Sequence, residues 1–410
     1  MAALWTAVFL GGLAVGASVV GLLVAQRARE PLAFLLGILG VVVGTWGIIE
    51  VIDVYRRADM IIAAVGLSLA SVGGGYALGS SLLPYLSSTR RAPVLPDTVQ
   101  NRTDKPTVLV LSCIEPERYQ PVAITQELDR LAHAGLPEAT MGITPFLYAA
   151  QKARYRAMGG KSPAARQAQL TTERLAARLS ESVERVRFVS CVGRDTLDRA
   201  VVEAADRGVS DMIIVTAAVA ESYVTDRAKA SVDAMRPEAH GVRVAYAPPL
   251  WGSEVLAEHV ADQVWRARDE PAATGVALVL HGQPDEWERS HASFDVQENS
   301  FAQRIRMLLV DRGMPAENVR LCHGEWRVPD ITETVRHLAA LGCRRVLVCP
   351  VCYPFENSAT ILDFQVSIRQ ARVDGHVTTV TLNAWGEDPV LSDVLFASAR
   401  SAADDLGLSI

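Results

Sequence analysis

The sequence predicts three membrane-spanning helices followed by two similar doubly wound α/β lobes with parallel sheets. Three observations lead to this prediction: long uncharged runs near the N-terminus, short β-branched runs that alternate with amphipathic segments, and an internal repeat. The chain has 410 residues, of which 50% are hydrophobic, so it is long enough for several domains. Its net charge of −6 gives no indication of nucleic-acid binding.

The N-terminal part contains three apolar runs. No charged residue occurs in residues 3–25, 32–49 or 60–83. Each run is long enough to cross a bilayer as a helix. The first is too long for the apolar part of a signal peptide and lacks a preceding basic region. We therefore predict a multi-pass membrane anchor over residues 1–85.

Arginines flank the predicted spans unevenly. Four lie on the side of the C-terminal part and two on the opposite side: Arg27, Arg29, Arg90 and Arg91 against Arg56 and Arg57. This asymmetry favours a cell-membrane protein whose soluble part faces the cytoplasm. Six cysteines without the spacing of a disulfide framework agree with a reducing compartment: Cys113, Cys191, Cys322, Cys343, Cys349 and Cys352.

The remaining chain has the pattern of an α/β protein. Residues 86–106 are rich in proline and polar residues and are interpreted as a linker. After them, strand-like apolar runs begin at Thr107, Val186, Met212, Val242, Val276, Val319 and Val346. Apolar strands that alternate with helices are typical of a parallel sheet covered on both faces. We predict a first lobe over residues 107–250 and a second over residues 275–410.

An internal repeat supports the two lobes. The segments 196–223 and 331–357 each combine an amphipathic helix, a glycine stop at Gly208 or Gly342, and an apolar strand. Two such lobes facing each other form a cleft at the carboxyl ends of their strands, where these folds bind ligands.

One strand ends in a histidine that faces this cleft. The run Ala277-Leu-Val-Leu is followed by His281, Gly282, Gln283 and Pro284. Glycine permits a sharp turn, and an imidazole at a strand end can accept protons or bind a metal. The alternative is a histidine that only stabilises the turn by hydrogen bonding.

The matching strand of the repeat leads to two carboxylates. Glu356 and Asp363 are seven residues apart, which on one helix face could form an acidic track into the cleft. Two carboxylates at a helix start could equally be a cap matched to the helix dipole, and from these residues alone the cap is the favoured interpretation. Cys349 and Cys352 have CxxC spacing, but buried thiols are the favoured interpretation because no second pair accompanies them. His323 is another strand-end imidazole, and Trp326 could line a site for a flat ligand or cover the core.

A glycine pair interrupts a helix in the first lobe. The stretch Arg154-Tyr155-Arg-Ala-Met-Gly159-Gly160-Lys-Ser162-Pro163 stops one helix and starts another. It could bind an anionic substituent or be a simple turn between helices.

Together these motifs resemble the ferrochelatase family, whose members insert ferrous iron into a porphyrin. The stretch 154–163 resembles the family's first-lobe signature, and His281-Gly-x-Pro resembles the strand that carries its catalytic histidine. The segment from Gly324 through Trp326, Pro329 and Thr332 resembles the approach to the metal loop, and 382–389 resembles the family's Leu-Asn-x-x-Pro segment.

The resemblance implies a set of roles. His281 would be the catalytic base. The porphyrin would contact Tyr155, Gly159, Gly160, Ser162, Gly282, Pro284 and Trp326, and ferrous iron, as substrate metal, would meet His281, Glu356 and Asp363. No tightly bound cofactor is expected, and a homo-oligomer formed through the spans is a further expectation.

The sequence also departs from the family pattern. The family's Ser-Asp-His-Ile-Glu-Thr-Leu run corresponds to 355–361, so Ala359 replaces a catalytic glutamate. Ile114 stands in a turn where the family has glycine beneath the porphyrin. The alternatives are therefore an active membrane-anchored enzyme of haem biosynthesis, a non-catalytic relative that binds a tetrapyrrole or metal, and a chelatase for cobalt or nickel.

Overall fold

The computed structural model describes residues 2–85, 93–99, 102–133, 135, 143–193, 195–289 and 291–410. Contacts divide the chain into two compact units, which are residues 1–91 with 118–160, and residues 92–117 with 161–410. Arg90 and Arg91, on which the predicted orientation partly depends, lie outside the described residues.

The first unit begins with three helices that are long and apolar enough to cross a membrane. They are α1 (Ala2–Val24), α2 (Glu30–Tyr55) and α3 (Ala58–Ser81). Small residues let their backbones approach closely. A Cβ atom on Gly11 would lie 2.6 Å from the Cα atom of Gly44, and one on Gly75 would lie 2.2 Å from the carbonyl oxygen of Leu13.

Two further helices pack against these three apolar helices. They are α4 (Pro121–His133) and α5 (Thr144–Ala157). Tyr148 is fully buried in an apolar cluster with residues of α1 and with Leu83. Lys152 Nζ donates to the carbonyl oxygen of Leu22 at 2.9 Å and forms a 2.6 Å ion pair with Glu30. Residues 118–160, predicted as part of the first lobe, therefore belong to the compact unit that contains the spans.

The second unit contains two four-stranded parallel sheets. The first sheet has the order β2-β1-β3-β4 and the second has the order β6-β5-β7-β8. The strands are β1 (Thr107–Ser112), β2 (Arg185–Ser190), β3 (Asp211–Thr216), β4 (Arg243–Tyr246), β5 (Thr274–Leu280), β6 (Val319–His323), β7 (Arg345–Cys349) and β8 (Thr378–Thr381). β1, β3 and β5 are buried along their whole length, as the continuous apolar runs predict.

Helices connect the strands and cover both sheets. They are α6 (Ala164–Leu179), α7 (Leu197–Asp206), α8 (Tyr223–Asp233), α9 (Glu254–Ala267), α10 (Asp285–Glu288), α11 (Ala292–Asp311), α12 (Ile331–Ala340), α13 (Phe364–Ala371) and α14 (Pro389–Asp405). A π-helix over Ala359–Asp363 precedes α13. Short 3-10 turns lie at Arg27–Arg29, Pro237–His240, Leu250–Gly252, Pro271–Ala273, Ala316–Asn318 and Trp385–Glu387.

The internal repeat is confirmed as two helix–turn–strand units. α7 leads into β3 through Gly208, and α12 leads into β7 through Gly342. Both glycines have positive φ angles, 91° and 93°, which explains why glycine follows each helix. One apolar cluster includes strand residues from both sheets, so the two lobes share a core.

The described part of the predicted linker packs on the first lobe. Leu95 and Val99 are buried in its apolar cluster, and His240 Nδ1 lies 2.8 Å from the carbonyl oxygen of Pro96. The interpretation of these residues as a simple linker is therefore incomplete, because apolar side chains fix them to the lobe.

The expectation of six free thiols is wrong. Cys113, just after β1, forms a disulfide with Cys191, just after β2, across a sequence separation of 78 residues. Adjacent parallel strands end side by side, which brings the two cysteines together. Their distance in sequence hides this relation from a search for disulfide spacing.

Candidate active site

His281 lies at the carboxyl end of the central strand β5, as predicted. The preceding residue, Leu280, pairs with His323 at the end of β6. Gly282 has a φ angle of 84°, and a Cβ atom there would lie 2.4 Å from the carbonyl oxygen of Glu325. Only glycine fits this turn, which bends the chain directly after the imidazole.

The imidazole of His281 has a defined orientation. Its Nδ1 lies 3.0 Å from the carbonyl oxygen of Gly282, and its ring lies 5.1 Å from the ring of Tyr353 with an interplanar angle of 34°. A proton on Nδ1 donated to that carbonyl leaves Nε2 as the basic nitrogen. The arrangement is chemically suited to accepting a proton at Nε2.

A buried glutamate lies beneath this turn. Glu298 in α11 is 2% exposed. Its carboxylate accepts hydrogen bonds from the backbone N–H of His281 at 3.3 Å and of Gly282 at 3.0 Å. Burial raises the pKa of Glu298, whereas the charge of His281 and the two backbone hydrogen bonds act to lower it. The sequence did not indicate this residue, because a glutamate within an amphipathic helix is usually exposed.

The ring of Tyr353 packs against the imidazole of His281. Its ring also makes an edge contact with Phe364, at 5.4 Å between centroids. Among the described residues its hydroxyl group has no hydrogen-bond partner, and burial raises its pKa well above the usual value. A Cβ atom on Gly324 would lie 2.2 Å from this hydroxyl oxygen, so glycine at 324 makes room for it.

The end of β6 brings further polar groups to the same edge. The backbone N–H of Glu325 donates to the carbonyl oxygen of His281 at 3.1 Å, and the side chain of Glu325 is exposed. Burial lowers the pKa of His323, so its imidazole is neutral near neutral pH. Trp326 is 52% exposed, with a φ angle of 62°. It therefore does not cover the core, and its contact with a flat ligand stays a prediction.

Glu356 and Asp363, the predicted acidic track, do not lie on one regular helix. Glu356 precedes the helix, and its carboxylate accepts hydrogen bonds from the backbone N–H of Ala384 at 2.6 Å and from the hydroxyl of Thr360 at 2.7 Å. Asp363 is the last residue of the π-helix, so the seven-residue spacing does not place both carboxylates on one helix face. Within the described ranges, no three His, Cys, Asp or Glu side chains are grouped to hold a metal ion. The structure therefore does not bring together His281, Glu356 and Asp363 as ligands.

Glu356 and Asn357 instead stabilise the start of the helix. The side-chain oxygen of Asn357 accepts hydrogen bonds from the backbone N–H groups of Ala359 and Thr360, both at 3.0 Å. The sequence left open a cap by the carboxylates, whereas the helix N–H groups are accepted by the amide side chain of Asn357. Ala359 is 8% exposed within an apolar cluster that includes Tyr353 and Phe364.

The porphyrin-contacting residues that were predicted in the first lobe are divided between the two compact units. Tyr155 is buried and makes an edge contact with Tyr119 at 6.2 Å. Gly159 and Gly160 have φ angles of 77° and 91°. They belong to the same unit as Tyr155, the one that contains α1, α2 and α3. Ser162 belongs to the unit that contains the two lobes, where its backbone N–H donates to the carbonyl oxygen of Glu117.

The CxxC pair consists of buried thiols. Burial raises the pKa of Cys349 to about 12 and that of Cys352 well above its usual value. Metal binding and thiol redox chemistry both require the thiolate. These two cysteines therefore pack as apolar side chains, as the sequence favoured.

Two paired α/β lobes with a histidine at a central strand end define a chelatase-type protein. The sequence model of the Ferrochelatase family matches residues 136–402, which is more than half of the chain. The chain belongs to the ferrochelatase family. No curated protein matches the sequence significantly.

Solved structures with a similar chain path include chelatases. DR2241 from Deinococcus radiodurans, described as a multi-domain protein with structural similarity to chelatases, has 17% sequence identity and a TM-score of 0.43. The match covers 72% of this chain and 55% of that one, so this chain aligns with about half of DR2241. SirB from Bacillus subtilis with Fe3+ has 12% identity and a TM-score of 0.47, with 74% of this chain and 98% of SirB covered. The sirohydrochlorin chelatase SirB from Bacillus subtilis subspecies spizizenii in complex with cobalt has 12% identity and a TM-score of 0.46, with coverage of 73% and 96%.

Proposed function

We propose that this protein is a membrane-anchored enzyme that inserts ferrous iron into a porphyrin in haem biosynthesis. The observation that carries the proposal is the position and orientation of His281 in a ferrochelatase-family fold. Metalation requires the macrocycle to lose two pyrrole protons while the metal loses its water ligands. A histidine whose Nδ1 is held by Gly282 offers Nε2 as the proton acceptor.

The anchoring part of the proposal rests on the three long apolar helices. The predicted orientation, with the soluble part in the cytoplasm, follows from the arginine counts. The Cys113–Cys191 disulfide favours the opposite side, because such bonds persist mainly in oxidising compartments. Close glycine contacts join the spans within one chain, and an oligomer formed through these spans stays a prediction.

A second candidate function is a non-catalytic protein that binds a tetrapyrrole or a metal at the membrane. Two observations favour it. Ala359 provides no carboxylate, and the carboxylate of Glu356 already accepts hydrogen bonds from the Thr360 hydroxyl and from the backbone N–H of Ala384. Under the enzyme proposal, proton transfer depends on His281, and iron would be delivered without a preformed cluster of protein ligands in the described residues.

The test is an anaerobic metalation assay with the purified full-length protein in detergent. Ferrous iron, cobalt and nickel are each added to a porphyrin, and absorbance follows loss of the free macrocycle. Turnover with iron that exceeds the protein-free reaction supports the proposal. Turnover only with cobalt or nickel supports the chelatase alternative, and tight porphyrin binding without turnover supports the binding protein.

A further inference from the structure

Glu298 is a charged residue that is buried in the second lobe. Its side chain is 2% exposed and reaches from α11 to the turn that follows β5. Burying a carboxylate is costly unless it is paired and hydrogen-bonded. An apolar side chain of similar length, such as methionine, would avoid that cost, so packing alone does not account for a glutamate.

The contacts of Glu298 explain what the carboxylate does there. One oxygen accepts the backbone N–H of His281 and the other accepts the backbone N–H of Gly282. Gly282 in turn offers its carbonyl oxygen to Nδ1 of His281. Because each oxygen accepts one N–H, the side chain restricts two consecutive residues of the turn.

Other groups around the turn complete a buried support. The ring of Tyr353 packs on the imidazole of His281. The backbone N–H of Glu325 donates to the carbonyl oxygen of His281 from the opposite side. Among these contacts, only Glu298 holds the two consecutive N–H groups of the turn.

We propose that Glu298 is a positioning residue that fixes the His281–Gly282 turn and thereby aims the imidazole of His281 at the tetrapyrrole. This rests on the proposed function, in which His281 accepts the pyrrole protons. The geometry gives Glu298 no contact with substrate, since it acts through the backbone. Loss of its carboxylate releases the turn and misdirects Nε2 without removing the base.

The experiment compares full-length wild type with Glu298→Met, Glu298→Gln and a control, Asn299→Ala. Asn299 lies next to Glu298 in α11, and within the described part of the chain its side chain donates to the carbonyl oxygen of Asp295 in the same helix. Hydrogen exchange read by mass spectrometry on the peptide that spans 279–284 measures the two backbone hydrogen bonds. We expect exchange to become about tenfold faster or more in Glu298→Met and to be unchanged in Asn299→Ala.

Kinetics then separate positioning from folding. We expect kcat to fall on the order of 10²-fold in Glu298→Met, with KM for porphyrin within about twofold of wild type. Glu298→Gln keeps one acceptor oxygen and should lie between the two. Unchanged exchange in Glu298→Met, or faster exchange with unchanged kcat, would overturn the positioning role.

A wild type without turnover would contradict the proposed enzyme function and still leave the positioning role testable. In that case the rate at which diethyl pyrocarbonate modifies His281 is measured by mass spectrometry, with His323 as the internal reference. A severalfold change at His281 alone in Glu298→Met supports the role. Equal rates at His281 in wild type and variant refute it.

Discussion

Glu115 in the first lobe accepts two hydrogen bonds from Ser358 in the second lobe. The backbone N–H and the hydroxyl of Ser358 each lie 2.8 Å from a different carboxylate oxygen of Glu115. Glu115 follows Ile114 in the turn after β1, and Ser358 starts the helix after β7. The two lobes are thus joined where the chain leaves β1 in the first sheet and β7 in the second.

We expect Glu115→Ala to destabilise the protein by about 1–3 kcal/mol, because a buried backbone N–H and a hydroxyl lose a charged acceptor. Glu117→Ala is the matched control, since Glu117 forms an exposed ion pair with Lys161. Such a pair contributes only about 0–1 kcal/mol. Thermal melting of both variants in detergent makes the comparison, and equal melting temperatures would show that the bridge is not stabilising.

Replacing His281 by alanine should remove most of the metalation activity, on the order of 10²-fold or more for a lost general base. Porphyrin binding should survive, because burial of the macrocycle provides most of its affinity. His323→Ala is the control, since it removes the neighbouring strand-end imidazole. Turnover of His281→Ala at the wild-type rate would exclude the proposed mechanism.

Ala359→Glu tests whether a carboxylate can be restored at the family position. From the sequence, this change should raise activity with iron by placing a carboxylate opposite His281. The structure places Ala359 in an apolar cluster, so the new carboxyl group would have a raised pKa and a cost of ionisation. A raised pKa destabilises the fold increasingly as pH rises above the unfolded value of about 4.3.

The melting temperature of Ala359→Glu, relative to wild type, should therefore fall between about pH 5 and about pH 8. Ala359→Gln has the same size without the charge and should show a constant deficit. A deficit in Ala359→Glu that does not change with pH would show that the carboxylate reaches solvent. Increased metalation with iron would favour the interpretation from sequence.

The sequence predicts that the fragment 104–410 folds without the three N-terminal helices, because the linker carries few apolar residues to pack against it. In the structure, however, Tyr148 packs on α1 and Lys152 forms an ion pair with Glu30 of α2. We expect the fragment to be less soluble and to melt earlier than the full-length protein in detergent, because removal of the spans exposes Tyr148 and leaves Lys152 unpaired.

Lys152→Ala in the full chain tests the same contact by a single change. It should lower the melting temperature more than Lys161→Ala, whose ion pair with Glu117 is exposed. A fragment that is soluble and as stable as the full chain would show that residues 118–160 do not depend on the spans.

The redox state of Cys113 in cells shows on which side of the membrane the soluble part lies. Cys191 and Cys322 are buried and would not report on a thiol reagent, whereas Cys113 is exposed and reactive once reduced. If the soluble part faces the cytoplasm, acid quenching of growing cells should trap Cys113 as a thiol. An impermeant maleimide should leave it unlabelled in intact cells. A trapped disulfide with Cys191 would place this part on the oxidising side.

Patterns of buried apolar residues made most of the fold predictable. All seven strands expected from β-branched runs are present, and so are both halves of the repeat. β8 was missed because Thr378–Thr381 is a polar edge strand with exposed and half-buried residues. The packing of residues 118–160 on the N-terminal helices was also missed. A sequence shows which segments have apolar faces, but it does not show which of these faces contact one another.

The candidate site was predictable only where local geometry decides it. His281 and Gly282 could be found because a strand end followed by glycine has a local signature. Glu298 could not, because nothing in its helix distinguishes a carboxylate that turns inward from one that faces water. Glu356 and Asp363 were misjudged because their spacing assumed a regular helix from the first residue to the last.

The π-helix over Ala359–Asp363 has a consequence for comparing this chain with others. The backbone N–H of Phe364 bonds to the carbonyl oxygen of Ala359, so this turn contains one residue more than an α-helical turn. Phe364 nevertheless points into the core, because the wide turn absorbs the extra residue. An ungapped alignment with a chain that has an α-helical turn here would be out of step by one position on one side of the turn. Asp363 would have to be matched to the acidic positions of such a chain by superposition, with a one-residue gap at the wide turn.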